Sequence, residues 1–442
     1  MISLQYLINL TAADLAGFLA SPSLKTASVS VHLIALEGSE SPASHQADLG
    51  LIPASTMKAV TTATALQLLG PDYTFKTSLY LAGDDLVIKG GGDPTLSASS
   101  PEAEFLGWLT SLKKAGLTTI KGDLIADGSH FESRTTPDSW PWGDIGNYYG
   151  AGPSGLNFYK NTYNLTFKPG RIGSRATLSS TFPTPPGVTF HNQMITGTAS
   201  SGDQGYVYAS PGGKIVTLRG SIPFGGKFTI KGALPDPPLS CAKGFQAFLK
   251  KKGITIGGSV RTDQIDLSAA KKIHEQKSPK LAAIIKGTNH RSVNLYADSL
   301  FKALSSQGTT AAASTKIKSH WRKQNIDLSG FVCHDGSGLS PRNTITARQL
   351  ATIVKKAANG KHGNIFTASL PIAGQSGTIQ TLGKGTDIAG RIRAKSGSLT
   401  RVRTYAGILT QKSGKKFAFA VMTNNTVSSP KKAIVRFLNS CL

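Results

Sequence analysis

The stretch PASTMKAV, residues 53–60, holds a serine with a lysine three places on, Ser55 and Lys58. On a helix, positions i and i+3 share a face, so hydroxyl and amine fall within hydrogen-bond reach. Such a pair is an acyl-transfer nucleophile with its own base, and at a helix start free N–H groups and the dipole favour an oxyanion. The continuation VTTATALQLL carries no charge and reads as a buried helix. Burial disfavours an ammonium and brings a lysine down from its reference of about 10.4, as a general base requires. The bland alternative makes Ser55 an N-cap and Lys58 a solvated side chain. Spacing does not choose between them, because it recurs at Ser111/Lys114, Ser240/Lys243, Ser268/Lys271, Ser299/Lys302, Ser413/Lys416 and Ser429/Lys432, among others.

Two further clusters add weight. Lys395-Ser396-Gly397, within RIRAKSGSLT, follows a strand-like run and could present an amine and a hydroxyl along a sheet edge to hold a carboxylate. A lysine there would also disfavour charge on Lys58. The plain alternative is a solvated edge-strand lysine. A second KSG at Lys412–Gly414 lies between apolar strands and reads as a hairpin turn. Ser292-Val293-Asn294 opens SVNLYADSLFKAL; a hydroxyl there can relay a proton to a leaving amine and an amide can orient a carbonyl and the base lysine. Alone it reads as an N-cap, and the informative feature is the order SxxK, SxN, KSG at 55, 292 and 395.

These residues need elements to hold them. ASVSVHLIALEG, from Ala27, alternates and is rich in β-branched residues, so a strand is expected. A helix should follow, with Pro53 near its start and Gly70-Pro71 at its stop. After Phe75 come short strands with glycine turns and a helical EAEFLGWLTSLKKAG. From about Asn161 to Thr229 the Gly, Ser and Pro spacing suggests a small, inserted all-β unit. Helical signals return at Ser240–Gly253 and Lys280–Leu304. GRIRAKSGSL, VRTYAGILT and KFAFAVMTN read as consecutive antiparallel strands, with KKAIVRFLNSCL as a closing helix. The strand at 27–36 and these last strands would make one sheet if the middle of the chain were an insertion.

Composition bounds the rest. A chain of 442 residues with 39% hydrophobic and 17% charged residues is globular and long enough for two or three domains. No run of about 18 apolar residues occurs. The first lysine is Lys25, so MISLQYLINLTAADLAGF lacks the basic start and small-residue cleavage site of a secretory signal; this fits a cytoplasmic protein or a mature form with a start Met. Cys241, Cys333 and Cys441 form no CxxC pair, which argues against zinc and a dense disulfide framework and leaves room for one bridge, Cys241 to Cys333. No metal or other cofactor is called for. Gly90-Gly91-Gly92 lacks the GxxxxGK[ST] context of a phosphate loop and reads as a tight turn. The net charge of +25 would concentrate polyanions, but the lysines are scattered without an RNA- or DNA-binding motif, so solvated charge is the better reading and nucleic acid is not expected as a partner.

Beyond the three clusters, LVIKGGGDPTL (86–96), GDLIADGSHF (122–131), WPWGDIGNYYGAGPSGLNFYKNTY (140–163), GALPDPP (232–238), DGSGLSPRN (335–343) and AKSGSL (394–399) together resemble the low-molecular-mass class C penicillin-binding proteins, the D-alanyl-D-alanine carboxypeptidase/endopeptidases of peptidase family S13. KSG stands where KTG is commoner and keeps the hydroxyl. The resemblance implies an α/β fold: a serine DD-peptidase (β-lactamase/transpeptidase-like) domain, its antiparallel sheet flanked by helices, from 1–77 and 277–442. It further implies an inserted domain from 78–160 and 230–276, with a small all-β domain, 161–229, inside that. It implies that Ser55 attacks the carbonyl between two D-alanines, Lys58 takes its proton and Ser292 helps protonate the leaving amine. Asn294 would orient Lys58 and the substrate amide, Lys395 and Ser396 would hold the terminal carboxylate beside Gly397, and the N–H groups of Ser55 and Ser398 would form the oxyanion hole. Family members also use a pocket for the substrate side chain, and Asp144, Tyr149 and Arg342 are candidates for it, each with a structural alternative. Peptidoglycan stem peptides are the implied substrate, β-lactams the implied covalent inhibitors, and an extracytoplasmic site follows despite the missing signal. The positive charge could then aid retention on anionic envelope polymers.

Two rival functions are weighed against this. A β-lactamase shares the three motifs but needs a deacylating group; no ExxxN candidate is suitably placed, and Ser292 replaces the tyrosine of YxN enzymes. A non-catalytic wall-binding or penicillin-sensing module is disfavoured by the intact Ser55, Lys58, Ser292, Asn294 and Lys395. The sequence does not separate carboxypeptidase from endopeptidase activity or fix the third stem-peptide residue or the oligomeric state.

Overall fold

The computed structural model describes residues 14–442, so the first thirteen residues of the stretch MISLQYLINLTAADLAGF lie outside the described residues. The chain divides into two compact units: one takes residues 14–73, Lys280–Ser306 and Thr310–Leu442, the other Thr74–Pro279 and Gln307–Thr309.

The first unit contains β1 (Ser28–Ala35), α1 (Met57–Leu69), α2 (Leu281–Arg291), α3 (Asn294–Ala303), α4 (Ala347–Asn359), β2 (Ile392–Leu399), β3 (Val402–Thr410), β4 (Lys416–Asn424) and α5 (Lys431–Ser440). Its sheet runs in the order Ser44–His45, β1, β4, β3, β2, every neighbour antiparallel. The expected union of the first strand with the last three is therefore present, with Ser28 opposite Asn424.

Alternation explains how the sheet is covered. Val29, Val31, Leu33 and Ala35 of β1 share a face and pack with Phe417, Phe419 and Val421 of β4 and with Ile434, Phe437 and Leu438 of α5. Burying each of these Val, Leu, Ile and Phe side chains contributes about 1.5–3 kcal/mol. On the other face lies α4, which contacts β1, β3 and β4. Its sequence fits that role: Thr346 and Gln349 form a capping box, and Leu350, Ile353, Val354 and Ala357 make one buried stripe. With helices on both faces, β1 is buried nearly throughout instead of alternating.

α1 is the central helix, buried continuously from Met57 to Leu66 and ended by Gly70 at φ +81°. Its threonines are tolerated because they are bonded: the Thr62 and Thr64 hydroxyls donate to the carbonyls of Lys58 and Val60, and that of Thr61 to the carbonyl of Gly336. The helical run expected over Lys280–Leu304 is broken. Ser292 adopts a left-handed conformation, φ +56°, as the C-cap of α2, and Val293 caps α3. Ser292 is thus a hinge between helices and not the N-cap its type suggests.

The second unit has a mixed five-stranded sheet in the order Val260–Thr262, Leu124–Asp127, Asp85–Gly90, Lys76–Ala82, Lys271–Lys277. Helices Phe105–Lys114 and Pro237–Lys251 pack an aromatic cluster of Phe105, Trp108, Phe245 and Phe248. From Thr162 to Ala233 every regular element is a strand. All three cysteines are buried free thiols, so the bridge left open between Cys241 and Cys333 is absent.

Candidate active site

Ser55 lies in a tight 3-10 turn, Ala54–Thr56, that leads into α1. Thr404, Gly397 and the turn's own residues define it. Thr404 of β3 and Thr56 both donate hydroxyls to the Pro53 carbonyl, at 2.6 and 2.7 Å. Ala54 is held at φ +46°, a strained conformation for a residue with a side chain. Gly397 of β2 passes so close that a Cβ on it would stand 2.9 Å from the Ser55 nitrogen and 2.6 Å from the Pro53 oxygen. Ser55 remains half-buried, accessible to a substrate.

One turn on, Lys58 is fully buried. Its Nζ donates to Ser55 Oγ at 2.9 Å, to Asn294 Oδ1 at 2.6 Å and to the Ser337 carbonyl at 2.7 Å. Three acceptors use all three ammonium protons, and loss of one proton leaves a lone pair for the Ser55 hydroxyl. Burial pushes Lys58 below its ordinary value, while the charges of Asp298 and Asp335 push it back up. Repulsion between the Lys58 and Lys395 ammonium groups is mutual, so charge on either disfavours charge on the other, and the carboxylates of Asp298 and Asp335 oppose this at Lys58.

Lys395 is not a solvated edge lysine. It is fully buried, donates to the Ser396 carbonyl at 2.7 Å, and is held well below the usual lysine range by burial and then by the Lys58 charge. The Ser396 hydroxyl shares a 2.8 Å hydrogen bond with Thr378 Oγ1. Ser398 is exposed, opposite Arg403 on β3. Ser292 is half-buried at the helix junction.

Ser55, Lys58 and Asn294 are thus joined by direct hydrogen bonds, and Gly397 of the KSG strand abuts the same turn. The three candidates for a side-chain pocket divide between the units, Asp144 and Tyr149 in the second and Arg342 in the first. In the second unit, the Tyr149 hydroxyl donates to Asp144 Oδ1 at 3.1 Å, and burial raises both groups above their ordinary values. Arg342 is exposed in the first unit. Sequence reasoning missed Asp298, Asp335, Thr378 and Thr404. The first carried one signal: it stands four places after Asn294, on the same helix face.

The site's arrangement is that of an amine-assisted serine acyltransferase. A model of the D-Ala-D-Ala carboxypeptidase 3 (S13) family matches residues 11–440. The chain belongs to that family. This S13 peptidase is 28% identical to a D-alanyl-D-alanine carboxypeptidase of Actinomadura sp. (strain R39), over 96% of this chain and 82% of the relative. It is 26% identical to the D-alanyl-D-alanine carboxypeptidase DacB of Haemophilus influenzae, over 85% and 80%. The crystal structure of penicillin binding protein 4 (dacB) from H. influenzae matches its fold with a TM-score of 0.83 at 24% identity, covering 98% of each chain. The expected α/β penicillin-binding fold is the one observed, and the S13 peptidase is a serine-type D-Ala-D-Ala carboxypeptidase.

Proposed function

We propose that this carboxypeptidase hydrolyses the terminal D-Ala-D-Ala bond of peptidoglycan stem peptides through an acyl-enzyme on Ser55. The carrying observation is the Lys58 ammonium, buried and bonded at once to Ser55 Oγ, Asn294 and the Ser337 carbonyl. Neutral Lys58 accepts the Ser55 proton as Oγ attacks the penultimate D-alanine carbonyl. The oxyanion is received by the N–H groups of Ser55 and Ser398. The C–N bond then breaks as the proton held by Lys58 passes through the Ser292 hydroxyl to the departing D-alanine amine, leaving an ester on Ser55 and Lys58 neutral again. Water, deprotonated by Lys58, cleaves that ester and returns the hydroxyl. Lys395 and Ser396 hold the terminal carboxylate, and Asn294 orients both the lysine and the substrate amide. Asp144, Tyr149 and Arg342 are the residues we assign to recognition of the substrate side chain.

The enzyme acts outside the cytoplasm, where peptidoglycan is, and its +25 charge aids retention on anionic envelope polymers. D-Ala-diamino acid cross-links are a second substrate in this reading, since they differ only on the leaving side. β-Lactams acylate the same serine, which accords with an H. influenzae relative of the same fold whose crystal structure is described as complexed with a β-lactam.

The test is fluorescent penicillin labelling of the wild type and Ser55→Ala, with digestion of purified monomeric and cross-linked muropeptides alongside. Wild type should label stably and release D-alanine; Ser55→Ala should lose both, at least about a thousandfold. Labelling that persists in Ser55→Ala would overturn the assignment, and rapid release of hydrolysed penicillin would favour a β-lactamase instead.

A further inference from the structure

One buried carboxylate has no part in the chemistry above. Asp298 sits one turn after Asn294 on α3 and is 3% exposed. Its Oδ1 accepts the N–H groups of Gly336 and Ser337 at 2.8 and 3.0 Å, whereas Oδ2 has no hydrogen-bond partner. Ser337 is the residue whose carbonyl receives Lys58 Nζ at 2.7 Å. The following residue, Gly338, lies against the nucleophile turn with φ +78°; a Cβ on it would stand 1.8 Å from the Ala54 oxygen. The loop's other end is tied by Asp335, which accepts from Gly338 N, Ser340 N and Asn343 Nδ2 at 2.7, 2.6 and 2.8 Å. A single carboxylate oxygen thus fixes the two peptide units just before the one that presents the third acceptor to the base, and the N–H of that last unit, from Gly338, goes to Asp335.

We propose that Asp298 is a positioning residue for acylation: by accepting the Gly336 and Ser337 N–H groups it fixes the loop just before the Ser337 carbonyl that holds Lys58 Nζ on Ser55 Oγ, and its carboxylate acts through space on that amine. This rests on Lys58 being the base. Burial and then the Asp335 charge push Asp298 above the usual carboxylate range, while Lys58 and the two N–H groups pull it back, so the clamp and the base act on one another directly. The groups around Asp298 are Lys58 on α1, Asp335 and Cys333 on the loop, and Lys302 one turn further along α3, with Lys395 beyond Lys58. Of the negative charges named, Asp298 and Asp335 favour the Lys58 ammonium, so removing one favours the amine.

The experiment is the rate of acylation by a fluorescent penicillin, measured from pH 5 to 10 on wild type, Asp298→Asn and Asp298→Ala, with thermal melts of each. The asparagine keeps an oxygen for the two N–H groups and removes the charge. Asp298→Asn should therefore acylate within about threefold of wild type at its plateau, with its acid limb moved down by about one pH unit. Asp298→Ala should be folded and slower by more than about tenfold at every pH. An unmoved limb in Asp298→Asn, or wild-type rates in Asp298→Ala, overturns the proposal. If the alanine variant does not fold, the limb of the asparagine variant decides. Labelling of Ser55→Ala would be a separate failure, that of the nucleophile assignment itself.

Discussion

Gly397 shows how narrowly the nucleophile is seated. A methyl group there would meet Thr404 Oγ1 at 2.2 Å, the Pro53 oxygen at 2.6 Å and the Ser55 nitrogen at 2.9 Å, two of them backbone atoms that cannot swing aside. Gly397→Ala should force β2 away from the turn, at about 1–3 kcal/mol of stability, and slow penicillin acylation by more than about tenfold. A melt with a labelling time course checks both; an alanine variant as fast as wild type would show that β2 does not need this approach. Thr404→Val removes the hydroxyl that fixes Pro53 without adding bulk. It should lose about 1 kcal/mol and a smaller part of the acylation rate. What was legible at this scale follows from locality. Ser55 and Lys58 are three apart, and their pairing follows from helix geometry alone. Thr404 bonds Pro53 across 351 residues, and nothing in its neighbourhood marks it. Asp298 and Asp335 likewise act through a loop whose path depends on the finished fold.

Among the elements, β1 carries a titratable group in an apolar setting. His32 is buried, with Nδ1 3.3 Å from the Ser44 hydroxyl, and its pKa is lowered from 6.5 to about 4 by burial and then by Arg348, with Asp48 opposing. The unfolded chain therefore binds a proton that the folded chain refuses between these values. Stability from this group is full above about pH 6.5 and is lost as pH falls toward 4. The melting temperature should drop across that window, and His32→Gln should flatten the drop; an equal slope in both proteins would place the acid sensitivity elsewhere. Strands were easy to read because period-2 patterns of β-branched residues bounded by turns have few other solutions. The α2–α3 break was not, since GTNHRSVN has neither proline nor a glycine at the bend. Its left-handed residue is a serine, imposed by the surroundings of the site and not by local preference.

For the whole molecule, charge is the quantity with consequences. A cavity of about 510 Å³ at one end of the catalytic sheet is lined by Arg391, Arg393, Lys415 and Lys416, with Glu37 in the lining and Glu40 ion-paired to Lys415. The Thr410 N–H donates to the Arg391 carbonyl at 2.9 Å, and Thr410 lies opposite Lys416 across β3 and β4. If the positive charge retains the enzyme on anionic polymers, binding to purified wall carrying such polymers should weaken several-fold as salt rises toward 1 M, where the Debye length is about 3 Å. Retention indifferent to salt would remove this role. Composition gave the sign and size of the charge, but its concentration here depends on which strand ends meet.

The catalytic unit is also assembled from distant parts of the chain, with Thr74–Pro279 lying between its first piece and the rest. During synthesis Ser55 and Lys58 leave the ribosome early, but Thr404, which holds their turn, is 351 residues behind Pro53. At about 5–20 residues per second that is a wait of roughly 20–70 s. Through that interval β1 has no β4 to pair with, and the serine cannot be seated. A nascent chain stalled before β2 should therefore carry the nucleophile and remain blind to penicillin, so that reactivity arises only after β3 has been made.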